Sequence, residues 1–517
     1  MSTWRRAAFD CLLKKLYQNS KIYKETAMSS DLSKDLVFSS ATELEQMIRR
    51  KEVSSVELTQ AFIDQIERED GDINAVIVRR FDAALTEAEA ADLALSKGND
   101  LGPMHGLPMT IKESYVMKDT PSTWGIESYK DNVASEDGLV VQRFKSAGAH
   151  FLGKTNVPVD LGDTQAYNPI YGTTNNPYDL SRTPGGSSGG SGAATAAGFG
   201  ALEAGSDIGG SIRTPAVFCG VYGHKPTWGI IPLAGHALIE GVPDPDVTVC
   251  GPLARSAEDL KLALDVMAGP TERESVGWKL DLAAADIKSL KGLRVAVWPT
   301  DELSPVSQEI ETNAMQVGET LERCGATVSY SARPNFDSHK AHVVYQSLVG
   351  ATMASGQPAS VNEKVQKLVA ELDPDDTSER AVNLRAAVMS HRDWIRHDFR
   401  REKLRRAWDT FFVDWDVLIC PQYNVPAFVH DHRPLRERTM IVDGQERGYS
   451  DYAFWSGIAN APYLPSTTFP TGFSSDGLPL GLQATCPAYR DNRSIEIARL
   501  ISLEIGGFKP PARMVGS

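Results

Sequence analysis

The stretch from Pro184 to Thr227, PGGSSGGSGAATAAGFGALEAGSDIGGSIRTPAVFCGVYGHKPT, constrains this chain more than any other part of it. Ten of the 27 residues from Gly185 to Ser211 are glycine, where 42 glycines in 517 residues would put about two. A flexible linker would be polar throughout. This run is interleaved with Ala, Phe, Leu and Ile and ends in an apolar segment. A phosphate-cradling loop would show G-x-x-x-x-G-K-[ST], or G-x-G-x-x-G between strand and helix, and neither is present. Gly185-Gly186-Ser187-Ser188-Gly189-Gly190 can instead take backbone angles closed to other residues and present serine hydroxyls in a tight turn. The spacing predicts a helix of small residues over Ser191 to Ala197 and a short strand over Ala201 to Ser206. Asp207-Ile208-Gly209-Gly210-Ser211 is then a second glycine turn whose backbone N–H groups can converge on one point, as an oxyanion hole requires.

These residues resemble the signature of the amidase signature family, serine amidohydrolases with a Ser–Ser–Lys triad. The match comprises G-G-S-S-G-G, G-S-D-I-G-G-S-I-R and G-x-K-P-T, in order. Ser187 and Ser211 have the family spacing. Gly106-Leu107-Pro108-Met109-Thr110-Ile111-Lys112-Glu113 supplies the lysine, on what reads as a buried strand. The resemblance runs from about Leu36 to Pro510. It implies a single large α/β domain with a central mixed β-sheet covered by helices on both faces. The signature core falls at about 105–255 and a variable, substrate-facing region at about 336–456. Residues 1–35 read as a loosely docked extension; Met1 to Ser30 holds six basic side chains among Trp4, Phe9, Leu12, Leu13 and Leu16.

The chemistry implied is amide hydrolysis. Ser211 attacks the carbonyl, Ser187 passes the proton to a neutral Lys112, and the amides of Ile208, Gly209, Gly210 and Ser211 hold the oxyanion. The resemblance also implies a cis Gly186–Ser187 peptide. Lys112 must be deprotonated to serve, so burial has to lower its pKa from about 10.4. Ser188 reads as a supporting hydrogen-bond residue, and Asp207 and Arg213 as braces of the two turns. Lys154 is a competing lysine that the family pattern makes structural. Two departures from that pattern stand out: Glu113 where aspartate is common after the lysine, and Cys486 where glycine is more usual. Trp124, Tyr171, Phe454 and Trp455 are apolar candidates for the substrate pocket.

Composition limits the rest. A net charge of −14 argues against a nucleic-acid partner. No apolar run approaches the length of a membrane span. Six scattered cysteines without a C-x-x-C pattern suggest free thiols in a reducing, cytoplasmic setting. His430 and His432 read as loop residues, and no metal or cofactor is expected. The partner expected is a small or medium aliphatic or aryl amide, with a homodimer an open possibility. Carbamate or lactam hydrolysis, the amidase-like subunit of a glutamine-dependent tRNA amidotransferase, and a catalytically dead binding protein of the same fold stay open as alternatives. The amidotransferase subunit usually continues after K-P-T with a Tyr-Gly-Arg type segment, where this chain has Trp228-Gly229-Ile230-Ile231-Pro232.

Overall fold

The computed structural model describes residues 36–239 and 241–515; the expected extension at 1–35 lies outside them. Two capping boxes start the first scaffold helices. Ser40 and Glu43 cap Ala41–Arg49, and Ser54 and Glu57 cap Ser55–Ile73, each serine accepting from the glutamate amide while the carboxylate reaches back. The Asp259 carboxylate accepts from the amides of Ala41 and Thr42 at 2.9 Å, tying the first helix to the helix Ala257–Met267.

Strands β1 (Val76–Arg79), β2 (Pro108–Lys112) and β3 (His150–Thr155) form a small sheet in the order β1-β3-β2. A short pair follows, β4 (Tyr167–Asn168) and β5 (Gly172–Thr173). The strands β6 (Glu203–Asp207), β7 (Tyr222–Lys225), β8 (Val249–Ala254), β9 (Arg294–Val297), β10 (Thr327–Ser329) and β11 (Val417–Pro421) belong to a large mixed sheet. After the hairpin β12 (Thr439–Val442) and β13 (Gln445–Gly448), it is completed by β14 (Ser466–Phe473) and β15 (Pro479–Thr485). Its order is β10-β9-β11-β15-β14-β7-β8-β6. β9 pairs in parallel with β10 and β11, and the remaining pairs are antiparallel.

Strand alternation shows that both faces are covered. Leu482 and Ala484 join Ile495, Ile497 and Ala498 of the helix Asp491–Ile505 in one apolar cluster. Gln483, between them on the opposite face, accepts from Arg213 on the helix Arg213–Phe218 at 2.8 Å. The G-x-K-P-T segment locks this layer. His224 and Thr227 both bond the Asp491 carboxylate, and Lys225 Nζ donates to the Pro226 and Leu464 carbonyls.

Most elements form where the local pattern places them; the helix expected over Ser191–Ala197 runs Gly189–Ala196, and two further elements differ. The strand expected over Ala201–Ser206 starts at Glu203, because the backbone of 201–202 bonds instead to β2: Ala201 N donates to Pro108 O and Thr110 N to Leu202 O. Ser304-Pro305 has the local pattern of a helix start, with Pro at the first helical position, but does not open the next helix, which runs Gln308–Arg323. Ser304 and Pro305 are held as loop by Asn424, whose Nδ2 donates to both. Region 336–410 is mostly helical: Ser338–Ala354, Ala359–Ala370, Glu379–Ala387 and His391–Asp414. No described helix is long and apolar enough to cross a membrane. The five described cysteines are free thiols, and Cys486 is a buried member of the main apolar cluster.

Candidate active site

β2 delivers Lys112 because its alternation splits two environments. Met109 and Ile111 enter the main core, while Thr110 and Lys112 face β6 and the serine turn. Lys112 is fully buried. Its Nζ donates to Ser187 Oγ at 2.7 Å and to Ser206 Oγ at 2.9 Å. Burial pulls its pKa down to about 7, so the neutral amine is accessible near neutrality.

Lys154 is directed elsewhere. It is also fully buried, and its Nζ donates to the Pro121 carbonyl. The Glu113 carboxylate accepts from the amides of Thr123 at 2.6 Å and Trp124 at 2.9 Å. The glutamate after the lysine thus caps the 123–124 turn and does not touch the Lys112 amine.

The first serine turn contains a cis Gly186–Ser187 peptide, and Gly185 has φ +88. The helix Gly189–Ala196 follows directly. Its small residues are required by close approach: a Cβ on Gly190 would lie 2.2 Å from the Asn156 nitrogen. Ser188 Oγ bonds the Ser206 backbone, donating to its carbonyl and accepting from its amide, both at 3.3 Å. It therefore fastens the turn to β6 without touching Lys112. Ser191 Oγ pairs with Thr155 Oγ1 at 2.9 Å.

The second turn is built on Asp207. Its carboxylate accepts from the Gly210 amide at 2.8 Å, the Ile212 amide at 3.2 Å and Arg213 at 3.0 Å through both Nε and Nη2. Burial works to raise the Asp207 pKa, but Arg213, Asn460 and the Gly210 amide outweigh it and hold the carboxyl well below its ordinary value. Arg213 also donates to Asn460 Oδ1, the Ser456 carbonyl and Gln483. These contacts brace the second turn; among the described residues neither side chain is hydrogen-bonded to the first.

The oxyanion expectation needs one correction. The Gly210 N–H is committed to Asp207, because Gly210 at φ +97 turns its amide back onto the carboxylate. The amides of Ile208, Gly209 and Ser211 have no partner among the described residues. The two turns touch where Ser188 N donates to the Ser211 carbonyl at 3.2 Å. The Ser211 side chain makes no hydrogen bond within the described residues, and the residue is 9% exposed.

The pocket candidates divide. Trp124 is half-buried in a left-handed conformation at φ +50, its Nε1 donating to Ser114 O and its ring 5.5 Å from His236. Tyr171 is half-buried on the loop joining the short strand pair. Phe454 and Trp455 are core residues, contrary to expectation. They pack with Trp298 and Ile458 in a second apolar cluster, and the Trp455 N–H is satisfied by Ser304 O at 2.9 Å. Both turn inward because the helix Ala453–Asn460 is buried over nearly its whole length.

Three residues at the site escaped the sequence reading. Ser206 was legible in principle, since it lies inside Gly205-Ser206-Asp207 with β6 alternation. Tyr345 and Asn460, which reach the Ile208 carbonyl at 3.0 and 2.7 Å, carry no local motif. No cluster of three His, Cys, Asp or Glu side chains suited to a metal occurs among the described residues.

Comparison with known proteins matches residues 57–495 to the Amidase family. A glutamyl-tRNA(Gln) amidotransferase subunit of Alkaliphilus metalliredigens (strain QYMF) is 30% identical over 480 residues, covering 89% of this chain and 95% of that protein. An acylamidase of Rhodococcus erythropolis is 32% identical over 474 residues, covering 87% and 92% respectively. The solved structure of a fatty acid amide hydrolase superposes with a TM-score of 0.76 at 24% identity, covering 94% of this chain and 88% of that one. At that identity the likeness speaks to the fold alone.

Proposed function

The chain belongs to the Amidase family, and from that premise we propose that it hydrolyses a carboxylic acid amide through an acyl-enzyme on Ser211, with residues 36–510 as the catalytic unit. The observation that carries this reading is the buried Lys112 amine, 2.7 Å from Ser187 Oγ. A serine hydroxyl is a weak nucleophile at neutral pH and needs an adjacent base. The Ser211 hydroxyl, free of other hydrogen bonds, turns toward Ser187 and attacks the carbonyl carbon as its proton moves to Ser187 Oγ. Ser187 hands its own proton to neutral Lys112. The amides of Ile208, Gly209 and Ser211 receive the oxyanion; such donors are worth about 10²–10³ in rate each. Return of the proton along the same path lets the amine leave, and water then releases the acid.

The substrate we favour is a small or medium neutral aliphatic or aryl amide. The relative named acylamidase supports it. A second reading, the amidase-like component of a glutamine-dependent tRNA amidotransferase, is supported by a relative of similar identity. Hydrolysis of a panel of aliphatic amides, anilides, a carbamate and a dipeptide amide by the purified chain alone separates them. Amine or ammonia release without any partner is expected, and Ser211→Ala and Lys112→Ala should each lower it by about 10³-fold or more. Silence on every substrate until a partner protein is added would favour the second reading.

A further inference from the structure

We propose that Tyr345 and Asn460 are positioning residues that aim the Gly209 amide at the reacting carbonyl oxygen. This deepens the hydrolase reading and rests on it. The Ile208 carbonyl accepts two hydrogen bonds, from Tyr345 Oη at 3.0 Å and Asn460 Nδ2 at 2.7 Å. In a trans peptide the C=O and the following N–H point in opposite directions within one plane. Fixing the Ile208 oxygen from two sides therefore fixes where the Gly209 hydrogen points. That amide has no partner among the described residues, so it is available to an oxyanion. Two donors on the carbonyl also polarise the peptide and strengthen the N–H on its far side.

Both donors are themselves held. Tyr345 is 2% exposed, and its ring lies so close to Gly457 that a Cβ there would come within 2.6 Å of it. Its hydroxyl is 3.2 Å from where a Cβ on Gly209 would stand, directly over the turn. Asn460 is 1% exposed, its Oδ1 accepts from Arg213, and its Nδ2 also donates to Asp207 Oδ1 at 3.1 Å. Asn460 thus joins the turn to the buried Asp207–Arg213 pair. Tyr345 comes from the helix Ser338–Ala354, in the region the sequence assigns to substrate selection. The region thereby takes part in the reaction machinery itself.

The test compares full-length wild type with Tyr345→Phe, at a temperature where circular dichroism shows both folded. The rate of Ser211 labelling by a fluorophosphonate is measured, with the adduct located by mass spectrometry, alongside kcat and KM for the best amide of the panel. The adduct forms through the same oxyanion geometry. A positioning role gives labelling and kcat about tenfold slower with KM within about twofold, a smaller loss than removal of a donor itself. A Tyr345→Phe labelling rate within about twofold of wild type overturns the proposal, as does a loss confined to KM. Absence of label on wild-type Ser211 would overturn the hydrolase reading itself, which separates the two failures.

Discussion

Burial decides the charge of Lys112, whose hydrogen-bond partners are hydroxyls; Asp207, Glu203 and Glu113 pull the other way from a distance and do not outweigh it. Ser187 and Ser206 offer two acceptors but no compensating anion, so burial dominates and the amine is neutral above about pH 7. Between pH 7 and the ordinary lysine range, the unfolded chain binds a proton that the folded one does not. Stability then rises with pH across that window, and the penalty is complete below it. Lys112→Met, of similar length and without the charge, is expected to melt at a higher temperature than wild type. The difference should grow as pH falls from about 10 to about 7 and stay constant below. Calorimetry across that range checks it; a difference independent of pH would mean that the lysine is charged in the fold.

At the scale of elements, the Asp207–Ser211 turn is a loop held by a buried ion pair. Arg213, with no exposed surface, donates to Asp207, Asn460, Gln483 and the Ser456 carbonyl, joining the turn to β15 and to the helix Ala453–Asn460. Removing one partner of such a pair strands the other charge in the core. Arg213→Met should therefore cost about 3–5 kcal/mol, read as a lower urea midpoint at unchanged slope. A loss under about 1 kcal/mol would mean that the pair contributes little to the fold. Local elements were legible where the signal is local. The capping boxes at Ser40 and Ser54 and the glycine turns around Ser187 and Ser211 are each set by residues within a few positions of one another. Where backbone groups found distant partners, the reading slipped. Residues 201–202 pair with β2, and Ser304-Pro305 is held by Asn424, and neither partner is visible from the flanking sequence.

Across the whole molecule, the site is assembled from segments far apart in the chain. Lys112 arrives on the small sheet, Ser187 on a turn, Ser206 on the edge strand of the large sheet and Ser211 on the turn after it. Tyr345 and Asn460 come from the helical region and from the helix before β14. Lys112, Ser187 and Ser211 were legible because spaced motifs carry them; Ser206 was passed over, and so were Tyr345 and Asn460. The last two were not legible, because a lone Tyr or Asn in a helix reads as ordinary until the tertiary fold brings it to a peptide carbonyl. Trp455 failed in the opposite way: an aromatic residue suggested a pocket wall, and the packing made it core. A neutral, buried Lys112 that drives Ser211 through Ser187 is the heart of the proposed mechanism. Its most direct test is the pH dependence of Ser211 labelling by a fluorophosphonate in wild type and Lys112→Ala. Wild type is expected to gain reactivity through a single ionisation near pH 7, while Lys112→Ala reacts slowly and without that ionisation. A wild-type rate that is flat across pH 6–9, or a Lys112→Ala profile that keeps the same ionisation, would contradict it.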